Sequence, residues 1–282
     1  MTRLKVEDVQ DIGHDLEAYD ESLITRTGRT LKEIAMESVG MTVDEMDQSL
    51  SRFTVGVVPV TSGLGVIQGF TDAVKGILSH IGVKTCQSTA TDVGGLAEVI
   101  EKGAAIVFLA DDERFIAVNL TSKRVIDNAE ATARGYVTAL NLMAGGLQGC
   151  EVLVIGGAGR LGRHAVILLK QKGARVWAFD INRPQLTSFR RTHDFALEEN
   201  LEDALRRHRI LFNAAPACGH IRPEHIKENT LLASPAKPLG LSEEVLSSVK
   251  KRLIYDPLQI GVATMFSEAC LRSKRRTGKV GG

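Results

Sequence analysis

Val152-Leu153-Val154-Ile155-Gly156-Gly157-Ala158-Gly159-Arg160-Leu161-Gly162 carries a β-branched apolar run into a glycine turn and then into a segment of helical pattern. A continuous apolar run of this length reads as a strand buried on both faces. The spacing Gly157-x-Gly159-x-x-Gly162 lets the backbone turn tightly and approach a ligand that side chains would hold away. Amides in the first turn of the following helix have no partner within it, and they carry the positive end of its dipole, so they suit a pyrophosphate. Asp180 closes the next apolar strand, 23 positions after Gly157. That is near the spacing of an acid that receives the ribose hydroxyls of a dinucleotide and repels a 2′-phosphate. NAD is therefore favoured over NADP, although Arg160 and Arg183 leave a phosphate-binding alternative open.

Working outward, the same alternation continues downstream. Strands are predicted over 152–155, 175–179, 210–213, 231–233 and 253–255, with helices beginning near Gly159, Pro184, Leu201 and Ser242. That pattern specifies a Rossmann-type parallel sheet. Upstream, Val6, Val9, Ile12, Leu16, Tyr19 and Leu23 recur at three- and four-residue steps and predict an amphipathic helix, followed by another over 30–39. Strands over 53–60, 83–87, 105–109, 115–119 and 124–126 alternate with helices ending near His80 and covering 95–102. They imply a smaller α/β unit with parallel pairing. The expected organisation is α/β throughout. Residues 1–143 form N-terminal helices and an α/β substrate domain, and 144–256 a Rossmann dinucleotide-binding domain. Residues 257–282 form a helix that returns to the first domain and then a flexible basic tail, Lys274 to Gly282.

Composition is that of an ordinary globular chain, 44% hydrophobic and 24% charged, and a net charge of +1 gives no general attraction to nucleic acid or anionic membranes. No apolar run reaches the length of a membrane span. Cys86, Cys150, Cys218 and Cys270 are scattered without paired spacing, which fits a reducing cytoplasm. The expected partner is a small molecule, and the pattern specifies no oligomeric state.

Several polar residues stand where an open α/β sheet presents ligands, at the carboxyl ends of strands. Thr61-Ser62-Gly63-Leu64-Gly65 ends a strand and is expected to open a helix; it reads equally as a carboxylate-binding turn or as a capped turn. Asp111 and Asp112 follow a buried strand, where one carboxylate can bind an ammonium or accept its proton, though paired aspartates also make solvated turns. Asn213-Ala214-Ala215-Pro216 ends the strand predicted over 210–213, at the border of a nicotinamide half or as a simple turn. Asn128 and Asp256 are single polar residues at strand ends. Cys218, His220 and His225 match no firm metal-ligand spacing, so no metal is expected.

Three stretches resemble signatures of the pyrrolysine synthase family. They are Phe53 to Phe70, with Val55-Gly56-Val57-Val58-Pro59-Val60-Thr61-Ser62-Gly63-Leu64-Gly65-Val66-Ile67, then Leu109-Ala110-Asp111-Asp112 with Phe115 and Asn119-Leu120, and Tyr255-Asp256-Pro257-Leu258-Gln259-Ile260-Gly261-Val262-Ala263-Thr264-Met265; the Ala215-Pro216-Ala217-Cys218 stretch also fits. The resemblance implies an NAD-dependent dehydrogenase whose substrate, 3-methyl-D-ornithyl-lysine, joins 3-methyl-D-ornithine through an amide to the side-chain amine of L-lysine. The terminal amine carbon of the ornithyl part is oxidised, the α-amine closes a five-membered ring, and ammonia leaves. It also implies a substrate site containing Ser62, Asp111, Asn128 and Asp256, covered by an N-terminal segment that includes Leu4. Asp111 is the expected base. Gly157, Gly159, Arg160, Leu161, Gly162, Asp180, Asn213, Ala214 and Pro216 are the expected cofactor contacts. Asp256 departs from the longer glutamate expected of archaeal members, and Arg160 is a second departure. Two other readings share the architecture: a dehydrogenase of the shikimate or methylene-tetrahydrofolate type, and a nucleotide-sensing protein without turnover. The first of these relies on a first-domain lysine, for which Lys75, Lys84, Lys102 and Lys123 are poorly placed.

Overall fold

The computed structural model describes residues 4–271, so the expected basic tail lies outside the described residues. Two sheets form the frame. The first contains β1 (Thr54–Pro59), β2 (Lys84–Gln87), β3 (Ile106–Ala110), β4 (Phe115–Asn119) and β5 (Arg124–Asp127), in the order β2-β1-β3-β4-β5. Its β2, β1 and β3 are parallel, as α/β alternation demands, but β4 and β5 pair antiparallel. The expectation of parallel pairing therefore holds for only part of this sheet. The reason is local: the connections 111–114 and 120–123 are too short for a crossover helix, so each strand must turn back on its neighbour.

The second sheet contains β6 (Glu151–Ile155), β7 (Arg175–Phe179), β8 (Ala196–Leu197), β9 (Ile210–Asn213), β10 (Leu231–Ala233) and β11 (Leu253–Ile254). Its order is β11-β10-β9-β6-β7-β8, parallel throughout. Chain order reverses between β6 and β9, and the carboxyl ends there make the crevice in which such sheets hold ligands. Helices α7 (Arg160–Gln171), α8 (Arg183–Arg190), α9 (Leu201–Arg207) and α10 (Glu243–Val249) begin where the sequence places them; β8 is a short strand it does not announce.

The N-terminal half carries α1 (Leu16–Thr27), α2 (Leu31–Val39), α3 (Val43–Arg52), α4 (Phe70–His80) and α5 (Asp92–Glu101). The single amphipathic helix expected from Val6 onward is instead two turns of 3₁₀ helix, Val6–Asp8 and Ile12–His14, followed by α1. Val9, Ile12 and Leu16 are buried all the same, because a 3₁₀ turn keeps three-residue spacing on one face. Helix α3, absent from the sequence reading, has a legible start: Thr42 and Glu45 form a reciprocal capping box.

Two long helices join the halves. Helix α6 (Asn128–Met143) leaves the first sheet and packs on α7, while α11 (Gln259–Cys270) packs on α6, α2 and α4. Helix α11 is apolar around its circumference, and eleven of its twelve residues are buried, as a helix enclosed on every side must be. Asn119 of β4 fastens its far end: its side-chain amide donates to the Ala269 carbonyl at 2.9 Å, and its oxygen accepts from the Ser122 amide at 2.8 Å. Asn119→Ala is expected to lower stability by about 2 kcal/mol, since the buried Ala269 carbonyl and the Ser122 amide lose their bonds. Chemical denaturation of the full chain measures this, and an unchanged midpoint would remove the anchoring role.

Candidate functional site

A cleft of about 500 Å³ opens where strand ends of both sheets meet. One wall comes from the ends of β1 and β3, the 111–114 turn and the start of α6. The other comes from the turn after β6 and the segments following β9, β10 and β11. Of the expected substrate residues, Leu4, Asp111, Asn128 and Asp256 line it; of the expected cofactor contacts, Gly159, Arg160, Leu161, Gly162, Ala214 and Pro216 do. Gly157, Asp180, Asn213 and Ser62 lie outside its walls.

The glycine turn is built for close approach. Gly156, which the expected pattern omits, has φ +83°, the left-handed region that glycine enters without cost. A Cβ on Gly162 would strike the carbonyl of Gly156, so α7 starts hard against the turn. Gly157 packs on β7, where a Cβ would stand 2.9 Å from that of Ala178. Asp180 is behind the turn: its Oδ2 accepts from the Ala158 amide at 2.9 Å and its Oδ1 from the Asn182 amide at 2.8 Å. A backbone cradle closed to a Cβ at Gly156, Gly157 and Gly162, a twelve-residue helix whose amino end lines the cleft and a carboxylate at the next strand end fit the phosphates and ribose of a dinucleotide.

Asn213 is fully buried and its polar atoms are committed within the protein. Its amide donates to the Ser234 hydroxyl and the Leu239 carbonyl, both at 3.0 Å, and its oxygen meets the Ala215 amide and His220 Nε2. It shapes the strand end that places Ala214 and Pro216 on the wall.

Ser62 needs a different correction. No helix opens at 61–65; α4 begins at Phe70, and residues 60–69 are a loop. The amides expected to be available for a carboxylate already have one, because the Thr61 amide donates to Asp92 at 2.8 Å and that of Leu64 to Asp112 at 2.5 Å. Ser62 is exposed on this loop.

Asp111 closes the β3–β4 hairpin. Its Oδ1 accepts from the amides of Glu113 at 2.8 Å and Arg114 at 2.7 Å, which fixes the side chain of a residue that lines the cleft and leaves Oδ2 outside those two bonds. Asn128 begins α6, and its oxygen accepts from the Thr132 hydroxyl at 3.1 Å.

Four residues at this site escaped sequence reasoning. Asp127 bonds Arg160 across the cleft and Arg114 at 3.4 Å, tying the glycine turn to the first sheet. Lys237 lines the cleft and donates to Asp8 at 2.8 Å and to the Tyr255 hydroxyl at 2.6 Å. Burial opposes its charge, but those two bonds outweigh it and raise its pKa above the ordinary lysine value. Tyr19 and Tyr136 both bond Asp256. A buried tyrosine hydroxyl requires a partner, yet nothing local to either sequence position names it.

The rejected metal grouping does not converge. Cys218 is exposed, His220 serves Asn213, and His225 lies instead beside Glu202 and Glu224, where Arg222 pairs with both carboxylates.

Residues 8–126 match the family described as pyrrolysine biosynthesis protein PylD, N-terminal domain. The chain is 30% identical over 267 residues to the pyrrolysine synthase of Methanosarcina barkeri, covering 94% of this chain and 97% of that protein. It is 29% identical over 266 residues to that of Methanosarcina acetivorans, covering 94% and 98%. A solved shikimate dehydrogenase from Aquifex aeolicus shares the fold at a TM-score of 0.52 and 11% identity, covering 78% of this chain and 91% of that one. Likeness at that level concerns architecture alone, whereas the two full-length relatives match through both halves and across the cleft, and the chain belongs to the pyrrolysine synthase family.

Proposed function

We propose that this chain is an NAD-dependent dehydrogenase that oxidises the terminal amine carbon of 3-methyl-D-ornithyl-lysine and forms the pyrroline ring of pyrrolysine. The observation that carries this reading is the facing of Asp111 and the amino end of α7 across one cleft. The oxidised nicotinamide, when bound, supplies the hydride acceptor. Everything else falls to the chain. Hydride leaves a carbon bearing a neutral amine far more readily than one bearing an ammonium, so a base must first take the ammonium proton. Asp111 Oδ2 is the proposed base, and the resulting carboxylic acid is within an exposed turn that returns the proton to water. After hydride departure the carbon is an iminium; the α-amine adds to it, and loss of ammonia leaves the cyclic imine. Net loss is two hydrogens and one ammonia.

Asn128 is proposed to orient the amide of the substrate and Leu4 to cover it. Ser62 is proposed to reach it only through the loop that carries it. Separate walls for oxidant and substrate make the chemistry largely a matter of positioning. The four unpaired cysteines suit the proposed cytoplasmic location, and no described helix is long and apolar enough to cross a membrane.

Purified protein given NAD and the ornithyl-lysine isopeptide is expected to generate NADH and a product lighter by two hydrogens and one ammonia, read by mass spectrometry. Loss of hydrogens without ammonia would overturn ring closure, and NAD binding without NADH formation would favour a sensor. Wild-type protein is expected to use NAD at least tenfold better than NADP, and Asp180→Ser to erase most of that preference by removing the acid that repels the 2′-phosphate. Equal kcat/KM for both cofactors in the wild type would sink the role of Asp180.

A further inference from the structure

Asp256 is 5% exposed and lines the cleft. Its Oδ2 accepts from the Tyr19 hydroxyl at 2.7 Å and from that of Tyr136 at 3.0 Å. Its Oδ1 accepts from the Ile260 amide at 3.2 Å. The Tyr136 hydroxyl also bonds the Asp256 backbone, lying 2.7 Å from its carbonyl and 2.8 Å from its amide. Three separate segments, α1, α6 and the entry to α11, thus converge on one carboxylate.

Two other aspartates on the cleft wall are differently supplied. Asp127 has two arginines, and Asp111 has two turn amides on an exposed hairpin. Asp256 has hydroxyls and an amide, but no ion pair with a cation among the described residues. A buried carboxylate without a cation is costly, and hydrogen bonds offset that cost only in part. A cation arriving through the cleft would complete the arrangement. The side chain is short, so its reach is set by whatever grips it, and here the grip is the tyrosine pair.

We propose that Tyr19 and Tyr136 are positioning residues that clamp Asp256 as the receptor for a primary ammonium of the substrate, one other than the amine that is oxidised. This rests on the amine-substrate reading of the site and adds to it the residues that set ammonium recognition. A hydroxyl donor stabilises an ionised carboxylate more than a protonated one, so the two tyrosines favour the charged form against burial and aim the side chain before ligand arrives, the Tyr136 proton being shared between Oδ2 and the Asp256 carbonyl. Burial pushes the Asp256 carboxyl above the ordinary aspartate range, and the bonds from Tyr19, Tyr136 and the Ile260 and Gln259 amides pull it only part of the way back. Burial and the nearby negative charge raise both tyrosines well above their ordinary value, so they remain protonated donors at neutral pH. Arg26 on α1 acts on Tyr19, and Tyr255 on Tyr136, but neither bonds Asp256.

The test is calorimetric binding of the ornithyl-lysine isopeptide, without NAD, to wild type, Tyr19→Phe, Tyr136→Phe and Asp256→Asn between pH 4 and 9. Asp256→Asn is expected to weaken binding at least a hundredfold. Each Tyr→Phe variant is expected to weaken it about tenfold and to move the acid limb of affinity to higher pH, because losing a donor raises the carboxyl pKa. A merely structural tyrosine would lower Tm and leave that limb in place. Tyr136 also holds backbone, so Tyr19→Phe is the deciding variant if Tyr136→Phe folds poorly. Unaltered affinity and an unmoved acid limb in Tyr19→Phe would overturn the clamp even if wild type makes NADH. Wild-type binding without NADH formation would instead overturn the reaction and leave the clamp standing; no wild-type binding overturns both.

Discussion

Asp111→Asn is expected to lower kcat for the ornithyl-lysine isopeptide by about 10²–10⁴-fold, the usual worth of a positioned proton acceptor. The substitution is unusually clean here. Asparagine keeps an oxygen where Oδ1 accepts the Glu113 and Arg114 amides, so the β3–β4 hairpin should keep its shape and the protein its Tm. At Oδ2 it replaces a proton acceptor with an amide group that can only donate. Loss of activity with intact folding, and with NAD affinity unchanged, would isolate the base. Raising the pH should restore part of the lost rate, because more of the substrate amine is then neutral without help. If steady-state assays find turnover within twofold of wild type at neutral pH, proton abstraction belongs to another group.

Gly162→Val is expected to reduce NAD affinity by about a hundredfold or more, which is about 3 kcal/mol of binding energy, and to destabilise the fold as well. A Cβ at Gly162 would lie 2.8 Å from the Gly156 carbonyl carbon and 3.0 Å from the Gly157 Cα. These are backbone atoms that cannot swing aside, so α7 must retreat from the turn and take its amino-terminal amides with it. Overpacking of this kind costs about 1–3 kcal/mol of stability. Gly159→Ala is the informative comparison, since its Cβ would meet only the Gly156 oxygen at 3.4 Å, an ordinary contact. It should fold normally yet still bind NAD less well, because the methyl group enters the space the phosphates approach. Fluorescence titration with NADH and thermal melting separate the two effects. Tight NADH binding by Gly162→Val would remove the glycine turn from the cofactor site.

Much of the fold was legible because strand and helix signals are local. Phe115–Asn119 appears as a strand with its predicted bounds, and all five strands expected in the second sheet are present. Helix α3 has a legible start too, in the Thr42 and Glu45 capping box. Ser62 illustrates the opposite limit. Its loop looks available in sequence, but Asp92 and Asp112, 31 and 48 positions from their partners, already occupy its amides.

The candidate site divides along the same line. The sequence by itself determined the glycine turn, the acid at Asp180, the alternation that makes two α/β units and the positions of Asp111, Asn128 and Asp256 at element ends. Those features follow from short-range sterics, dihedral preference and apolar periodicity, which a few neighbouring residues express in full. Only the tertiary structure decided that Asp256 meets Tyr19 and Tyr136, 237 and 120 positions away, and that Arg160 spans the cleft to Asp127. Such pairings depend on how α6 and α11 seat the first sheet against the second, an outcome of packing across the whole core. No local periodicity encodes which polar group a buried hydroxyl or carboxylate will find there.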